Sequence, residues 1–436
     1  MSQIQLIAEN DGRSAVSGFS DSSGTEAADG GNTRFGIYVA IIQFALTLGW
    51  TIYVIYLPQL AAKAGIRATT VIVLLLIDQA IFTVCDTLMG IAADRMILTA
   101  GRLSRVVIFF ATLSCIAFLA LPFVAELGPA SEYYFIAIIV IWAVTSSSLR
   151  APPLALLGKF AARPTLPLLS CVTMLGYGLA GALSPYLGVV LRNQDPRIPF
   201  VVSSAVLLLT ALSLSRIERL LRDGSLKAVA RPKFEIPKSY RTLALILVVA
   251  LLVLAFGYQL HFSIDSAALF LRFAKQPDLE WLMPVYWIGF SVAMFPASFI
   301  TRRLGGLLTV GCAGLLGAGA ILGTQNATGL NTMLVMQFVA GAAWGCILIS
   351  AIAVAIAIGS NGAEGKVVGL IFSAIAAATF ARLAVAGGLT ANAGYATLLR
   401  WTPIVCSSLA GAALLFIAIR RMRKWQQGNQ PIEASL

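Results

Sequence analysis

Apolar residues in this chain come in long unbroken runs. They show neither the alternation of a half-buried strand nor the one-sided stripe of a surface helix. The stretch Thr70-Val-Ile-Val-Leu-Leu-Leu-Ile-Asp78 is typical: side chains on every face of a helix are greasy. A helix apolar all round is buried in a large core or in lipid. A bilayer core about 30 Å thick needs about 20 such residues at 1.5 Å of rise each. Twelve runs reach that length. They cover residues 35–60, 69–92, 105–125, 133–157, 166–191, 198–215, 241–264, 281–301, 305–323, 331–359, 367–390 and 397–419, and are called spans 1 to 12. Pro152, Pro153, Pro164 and Pro167 crowd the junction of spans 4 and 5. Broken backbone there is tolerated only where protein or water satisfies it.

The polar stretches organise the runs. Residues 216–241 form the longest one after the leader and divide the chain into six spans plus six. The expected fold is therefore all-α and integral to a membrane, with twelve transmembrane helices in two six-helix bundles. The expected divisions are a disordered tail (1–34), a first bundle (35–215), a central loop (216–240), a second bundle (241–420) and a closing tail (421–436). The leader is rich in Ser, Gly, Asp and Ala. It lacks the cationic start and apolar core of a signal peptide.

Composition agrees: 58% of residues are hydrophobic and 11% charged, against about 25% charged in a soluble domain. The net charge of +12 does not imply nucleic acid, because the basic residues gather between the runs. With the N-terminus inside, twenty-three of the thirty-one Lys and Arg fall on inner segments and seven on outer ones; Arg382 lies within span 11. This asymmetry places both termini in the cytoplasm. The six cysteines lie in apolar segments without a CxxC pair, and His261 is the single histidine. Metal-dependent and histidine-based catalysis have little to work with, and no metal or cofactor is expected. No GxxxxGK[ST] loop occurs, so ATP is not a direct fuel.

The stretch Asp86 to Arg105 is the most charged patch in the first half. Asp86, Gly90 and Asp94 stand at i, i+4 and i+8, one stripe on span 2. A glycine between two acids lets a neighbouring helix approach closely. The acids can then meet that neighbour's N-terminus or an arginine.

Twelve spans in two sixes, the basic central loop and this loop together resemble the major facilitator superfamily. Its loop signature runs G-x-x-x-D-R-x-G-R-R. Gly90 to Arg95 fit the first half, and the closing pair comes late, at Gly101 and Arg102. That spacing is similar to the glycoside-pentoside-hexuronide cation symporters, whose pattern is D-P-x-x-G-x-x-x-D followed by G-R. Asp86, Gly90, Asp94, Gly101 and Arg102 match it; Thr87 stands where the proline would be, and Phe82 where a companion acid would be. In span 5, Gly181-Ala-Leu-Ser184-Pro185-Tyr-Leu-Gly188 resembles the superfamily's antiporter motif. The resemblance implies a gate built from Gly90, Asp94, Arg95, Gly101 and Arg102, with Asp94 docking on the start of span 11 near Lys366 to Gly369. The matching loop between spans 8 and 9 reads Thr301-Arg-Arg-Leu-Gly-Gly306, without an acid.

Ionisable residues at bilayer depth are costly and so are functional candidates. Asp78 and Asp86 are the candidates for coupling. They lie about 12 Å apart along the axis, too far to share one metal ion, which wants several oxygens together. Protons need no such cage. Arg150 resembles the superfamily's fourth-span arginine, and Arg382 requires a partner from another helix or an anionic ligand. Trp50, Tyr53, Tyr258 and Trp344 could stack on a solute; Gln259 and Gln337, like Gln43, could bond one. His261 and Asp265 share a face near a span end, where solvated surface is expected.

The expected protein is thus a non-enzymatic, monomeric secondary transporter of a small organic solute, proton-coupled, embedded in lipid in a bacterial inner membrane. A proton antiporter exporting amphipathic compounds is the alternative; a membrane-embedded enzyme or a receptor lies further off. Reporter fusions after Leu436 and within 216–241 are expected to signal from the cytoplasm. An external signal from either would reverse the orientation.

Overall fold

The computed structural model describes residues 22–97, 102–160, 166–192, 194–225, 236–388 and 393–426. Its α-helices are α1 (Ser22–Lys63), α2 (Ala68–Met96), α3 (Arg102–Ala125), α4 (Glu132–Ser147), α5 (Ala151–Phe160), α6 (Leu166–Val190), α7 (Arg197–Ser225) and α8 (Lys238–Leu260). They continue with α9 (Ser266–Phe270), α10 (Leu279–Leu282), α11 (Pro284–Leu304), α12 (Gly306–Gln325), α13 (Leu330–Ile358), α14 (Glu364–Gly388) and α15 (Ala393–Gln426). No strand occurs among the described residues.

Among the described residues, twelve segments are long and apolar enough to cross a membrane, one for each expected span. Several ends differ from expectation. Helix α1 reaches back to Ser22, so the end of the leader is helical. Helix α7 continues to Ser225, into the stretch read as central loop, and α15 runs to Gln426, past the expected boundary at 420. Polar residues end the apolar run without ending the helix, since Arg, Glu and Lys are good helix formers.

Three spans are broken. Span 4 divides into α4 and α5 at Ser148–Arg150, just before Pro152 and Pro153. Proline has no N–H to give and suits only a first turn, so the second helix starts there. Span 7 passes from α8 through a π-helical turn, His261–Asp265, into α9. Span 8 opens with the short α10 before α11 begins at Pro284.

The packing falls into two groups. In the first, α1 lies on α6 and α7, α3 on α4 and α7, and α2 on α4. In the second, α12 lies on α13 and α15, α11 on α13, and α8 on α14 and α15. The groups meet mainly through α2 with α14 and through α6 with α11. Each half therefore offers its second and fifth spans, and each second span meets the other half's fifth. This two-fold relation is the signature of a repeated architecture, and it holds although the loops after spans 2 and 8 share little sequence.

Large apolar side chains remain exposed on the spanning helices, among them Leu88, Phe109, Ile116, Leu209, Phe299 and Leu409. Such a surface is compatible with lipid as solvent. Interfaces inside the bundle use small residues instead. At Gly176 a Cβ would meet the carbonyl of Ala40 and lie 2.9 Å from the amide nitrogen of Phe44. Helices α1 and α6 thus touch backbone to backbone. Gly176→Val is expected to lower the unfolding temperature of the purified protein, by the equivalent of about 1–3 kcal/mol of overpacking. Gly188→Ala, where nothing lies within 4 Å, should leave it unchanged. Equal effects from the two would refute this account of the crossing.

Candidate functional site

A cavity of about 240 Å³ lies between the two helix groups, lined by both. The walls come from α1, α2, α4 and α6 on one side and α8, α11, α13 and α14 on the other, with Arg150 from the break in span 4. Trp50, Arg150, Tyr258, Gln259, Trp344 and Arg382, all candidates from sequence, line it. Tyr53 and Gln337 do not, and their polar atoms are occupied by other side chains.

The break in span 4 explains how Arg150 reaches the cavity. Its guanidinium forms a two-point contact with Asp86: Nη2 to Oδ2 at 2.6 Å and Nε to Oδ1 at 3.2 Å. The same group sits over the Phe82 ring, 4.5 Å from its centroid, and 5.9 Å from that of Phe372. Phe82, at the position of the companion acid in the symporter pattern, instead covers the cation with a π face. Gln43, also on the cavity wall, donates to the Arg150 carbonyl at 3.4 Å. Asp86 is fully buried, and its charge is met by a planar, bidentate partner. Of the two acids expected to couple transport, Asp86 is thus tied into an ion pair.

Asp78 is equally buried but forms no ion pair among the described residues. Tyr53 donates its hydroxyl to Asp78 Oδ2 at 2.7 Å, and Oδ1 has no partner among the described residues. The Tyr53 ring lies 4.4 Å from Trp142, centroid to centroid. Tyr53 therefore serves Asp78 and not the cavity. The neighbouring Gln79 reaches the wall of the cavity, so Asp78 stands one residue behind it.

The residues expected to form a gate fall into three groups. Asp94 receives two backbone N–H bonds at the start of α14: from Gly365 to Oδ1 at 2.6 Å and from Lys366 to Oδ2 at 2.9 Å. A carboxylate here meets orphan amides and the positive end of the helix dipole. Gly90 faces the Gly365 carbonyl, and a Cβ at Gly369 would lie 2.5 Å from the Asp86 carbonyl oxygen. Side chains at either glycine would hold the helices apart. Arg95 and Arg102 are exposed, and Gly101 lies outside the described residues.

Two expectations need correction. His261 is fully buried, not solvated. Its Nε2 lies 2.9 Å from Gln337 Oε1, while Gln337 Nε2 donates to Ser266 Oγ at 2.7 Å. Because the Gln337 oxygen must accept, His261 carries its proton on Nε2. Ser266 Oγ in turn donates to the His261 carbonyl at 2.9 Å, across the π-helical turn. Gln337 is thus a brace for the irregular turn in span 7 and not a solute ligand. Asp265, expected on the same surface, is half-buried.

Sequence reasoning missed Trp142, Tyr177, Trp287 and Thr379 on the cavity wall. Thr379 accepts from Gln259 Nε2 at 2.9 Å. Aromatic residues near the middle of a span were the available signal, but the rotation of each helix was not. Among the described residues, no group of three or more His, Cys, Asp or Glu could hold a metal ion.

With the fold and cavity defined, likenesses to known proteins can be placed. No protein-family model matches the chain, and no curated protein matches it. Solved structures do. The human organic anion transporter MFSD10 (TETRAN) superposes with a TM-score of 0.66 at 15% identity, covering 89% of this chain and 99% of that one. A bacterial homologue of the iron transporter ferroportin, in an outward-facing state, gives 0.63 at 12% identity, covering 88% and 99%. The same homologue soaked with iron gives 0.65. The chain has the major-facilitator fold: twelve membrane-spanning helices in all-α architecture.

The Asp86–Arg150 pair makes a thermodynamic prediction. Removing one member of a buried pair leaves an uncompensated charge, a loss of about 3–5 kcal/mol, whereas replacing both is far less costly. Asp86→Ala should lower thermal stability more than Asp86→Ala with Arg150→Leu. Additive losses in the double-mutant cycle would show that the pair is not coupled.

Proposed function

We propose that the chain is a secondary transporter that moves a small organic solute by alternating access, with a proton as the coupling ion. The observation that carries this reading is the central cavity between two halves joined by a breakable polar seal. Asp94 holds the start of α14 through two N–H bonds and the helix dipole. A carboxylate at a helix N-terminus contributes about 0.3–2 kcal/mol, and about 1.4 kcal/mol shifts an equilibrium tenfold. A contact of this size biases a conformational equilibrium without locking it. In this reading the seal lies on the cytoplasmic side, and Arg95, Gly101 and Arg102 belong to the same gate. The fold likeness to transporters supports the transport class.

Asp78 is the proton carrier in this proposal. It is buried, has one unpartnered oxygen, and has Tyr53 as its only hydrogen-bond partner among the described residues. Sodium would want several oxygens around it. Asp86, held by Arg150, takes the lesser coupling part and shapes the cavity by fixing that arginine. Loop 2–3, similar to the glycoside-pentoside-hexuronide cation symporters, favours symport. One observation favours export of amphipathic compounds instead: Gly181 of the antiporter-like motif packs against Trp287 on an aromatic cavity wall.

Vesicles containing only this protein, screened with labelled small organic solutes, provide the test. The transported solute should accumulate under an imposed pH gradient. Asp78→Asn should abolish that accumulation while sparing downhill exchange, and Asp86→Asn should reduce it less. Accumulation driven by sodium at constant pH, surviving in Asp78→Asn, would overturn the proton assignment.

A further inference from the structure

We propose that the cavity selects a flat organic anion of single negative charge, met by Arg382 and held between aromatic rings. This deepens the transport reading and rests on it, since it names what the same cavity carries.

The argument begins with the charges that reach the cavity. Two arginines line it and, among the described residues, no aspartate or glutamate does. The charge of Arg150 is already answered by Asp86. Arg382, on α14, is not answered: its buried Nε has no hydrogen-bond partner, and no carboxylate pairs with it among the described residues. The polar groups nearby on the same wall are engaged with each other. Gln259 donates to Thr379, and Thr379 donates to the Ile375 carbonyl at 3.0 Å. The cavity and its first partners thus carry one uncompensated positive charge.

A guanidinium held away from bulk water without a counter-ion is costly. An anion entering the cavity offsets that cost; a cation adds to it. The guanidinium is planar and presents its N–H groups as a fork that fits the two oxygens of a carboxylate or sulfonate. A dianion would leave one charge unmatched in a wall otherwise made of neutral groups. The rest of the ligand meets Trp50, Trp287, Trp344, Tyr177 and Tyr258. Indole and phenol faces favour flat apolar bodies through stacking and burial. The volume of about 240 Å³ leaves room for a small organic body.

Three probes of one shape separate charge from shape: 2-naphthoate, neutral 2-naphthamide and cationic 2-naphthylmethylammonium. Each is titrated against the full chain in lipid nanodiscs, with empty nanodiscs as the blank. Naphthoate is expected to bind at least tenfold more tightly than the amide, and the ammonium most weakly. Arg382→Gln should erase the preference for naphthoate over the amide; Arg382→Lys should keep part of it. Should Arg382→Gln fail to fold, Ala376→Asp, which adds a carboxylate to the same wall, should erase the preference in its place. Equal or tighter binding of the amide or ammonium overturns the proposal. So does a preference that persists in Arg382→Gln or, where that variant does not fold, in Ala376→Asp. Exchange of labelled naphthoate across vesicles is read separately. Anion-selective binding without exchange upholds the ligand class and removes the transport reading; exchange of the ammonium in place of the anion overturns the ligand class and leaves transport standing.

Discussion

The contact between α2 and α14 is the constraint on which the rest of the structure depends. It joins the two halves at a place where backbones nearly touch: Gly90 against the Gly365 carbonyl, and Gly369 against the Asp86 carbonyl. No hydrophobic force drives helices together in lipid, so close van der Waals approach and polar bonds must do it. The glycines permit the approach, and Asp94 supplies the bonds by accepting from Gly365 and Lys366. Between the two glycine contacts and the wall of the cavity, Thr87 and Ser373 add a hydroxyl–hydroxyl bond at 2.7 Å. Everything on the α2 side of the cavity is positioned by this one helix pair.

The buried charges are distributed with different consequences. Asp86 and Arg150 neutralise each other in a bidentate pair capped by Phe82. Such a pair contributes little net stability but is costly to break, so it acts as a fixed point. Asp78 has only a neutral tyrosine, and Arg382 has no charged partner at all among the described residues. A protein does not hold unpaired ionisable groups at bilayer depth without a reason. The proposed proton and anion sites are the two charges, Asp78 and Arg382, that lack a charged partner among the described residues.

Much of the fold was legible because lipid imposes a simple rule. Backbone groups must be satisfied within the span, so an apolar run of sufficient length is a helix. The stripe Asp86, Gly90, Asp94 was also legible, because residues four apart on a helix share a face. The resemblance pointed to a partner near Lys366 to Gly369; the amides that meet Asp94 are those of Lys366 and of Gly365, one residue earlier. Tyr53 and Gln337 illustrate the opposite case. Each lies at plausible depth with a polar head, yet Tyr53 turns to Asp78 and Gln337 to His261 and Ser266. A helix apolar on all sides has no amphipathic stripe to report its rotation, so which residues face the cavity cannot be read from the run itself.

Length, hydropathy and the spacing of charged residues determined by themselves that this chain is a twelve-span membrane protein in two halves, with a glycine–acid stripe on its second span. The tertiary structure alone decided which acid met an arginine. Arg150 pairs with Asp86, across 64 positions of sequence, because a proline-induced break swings the start of α5 inward beside α2. It also decided that Arg382 faces a cavity with no acid in its lining among the described residues. The physical reason is that pairing depends on helix rotation and on contacts between distant spans, and neither leaves a local trace when every face of a helix is apolar.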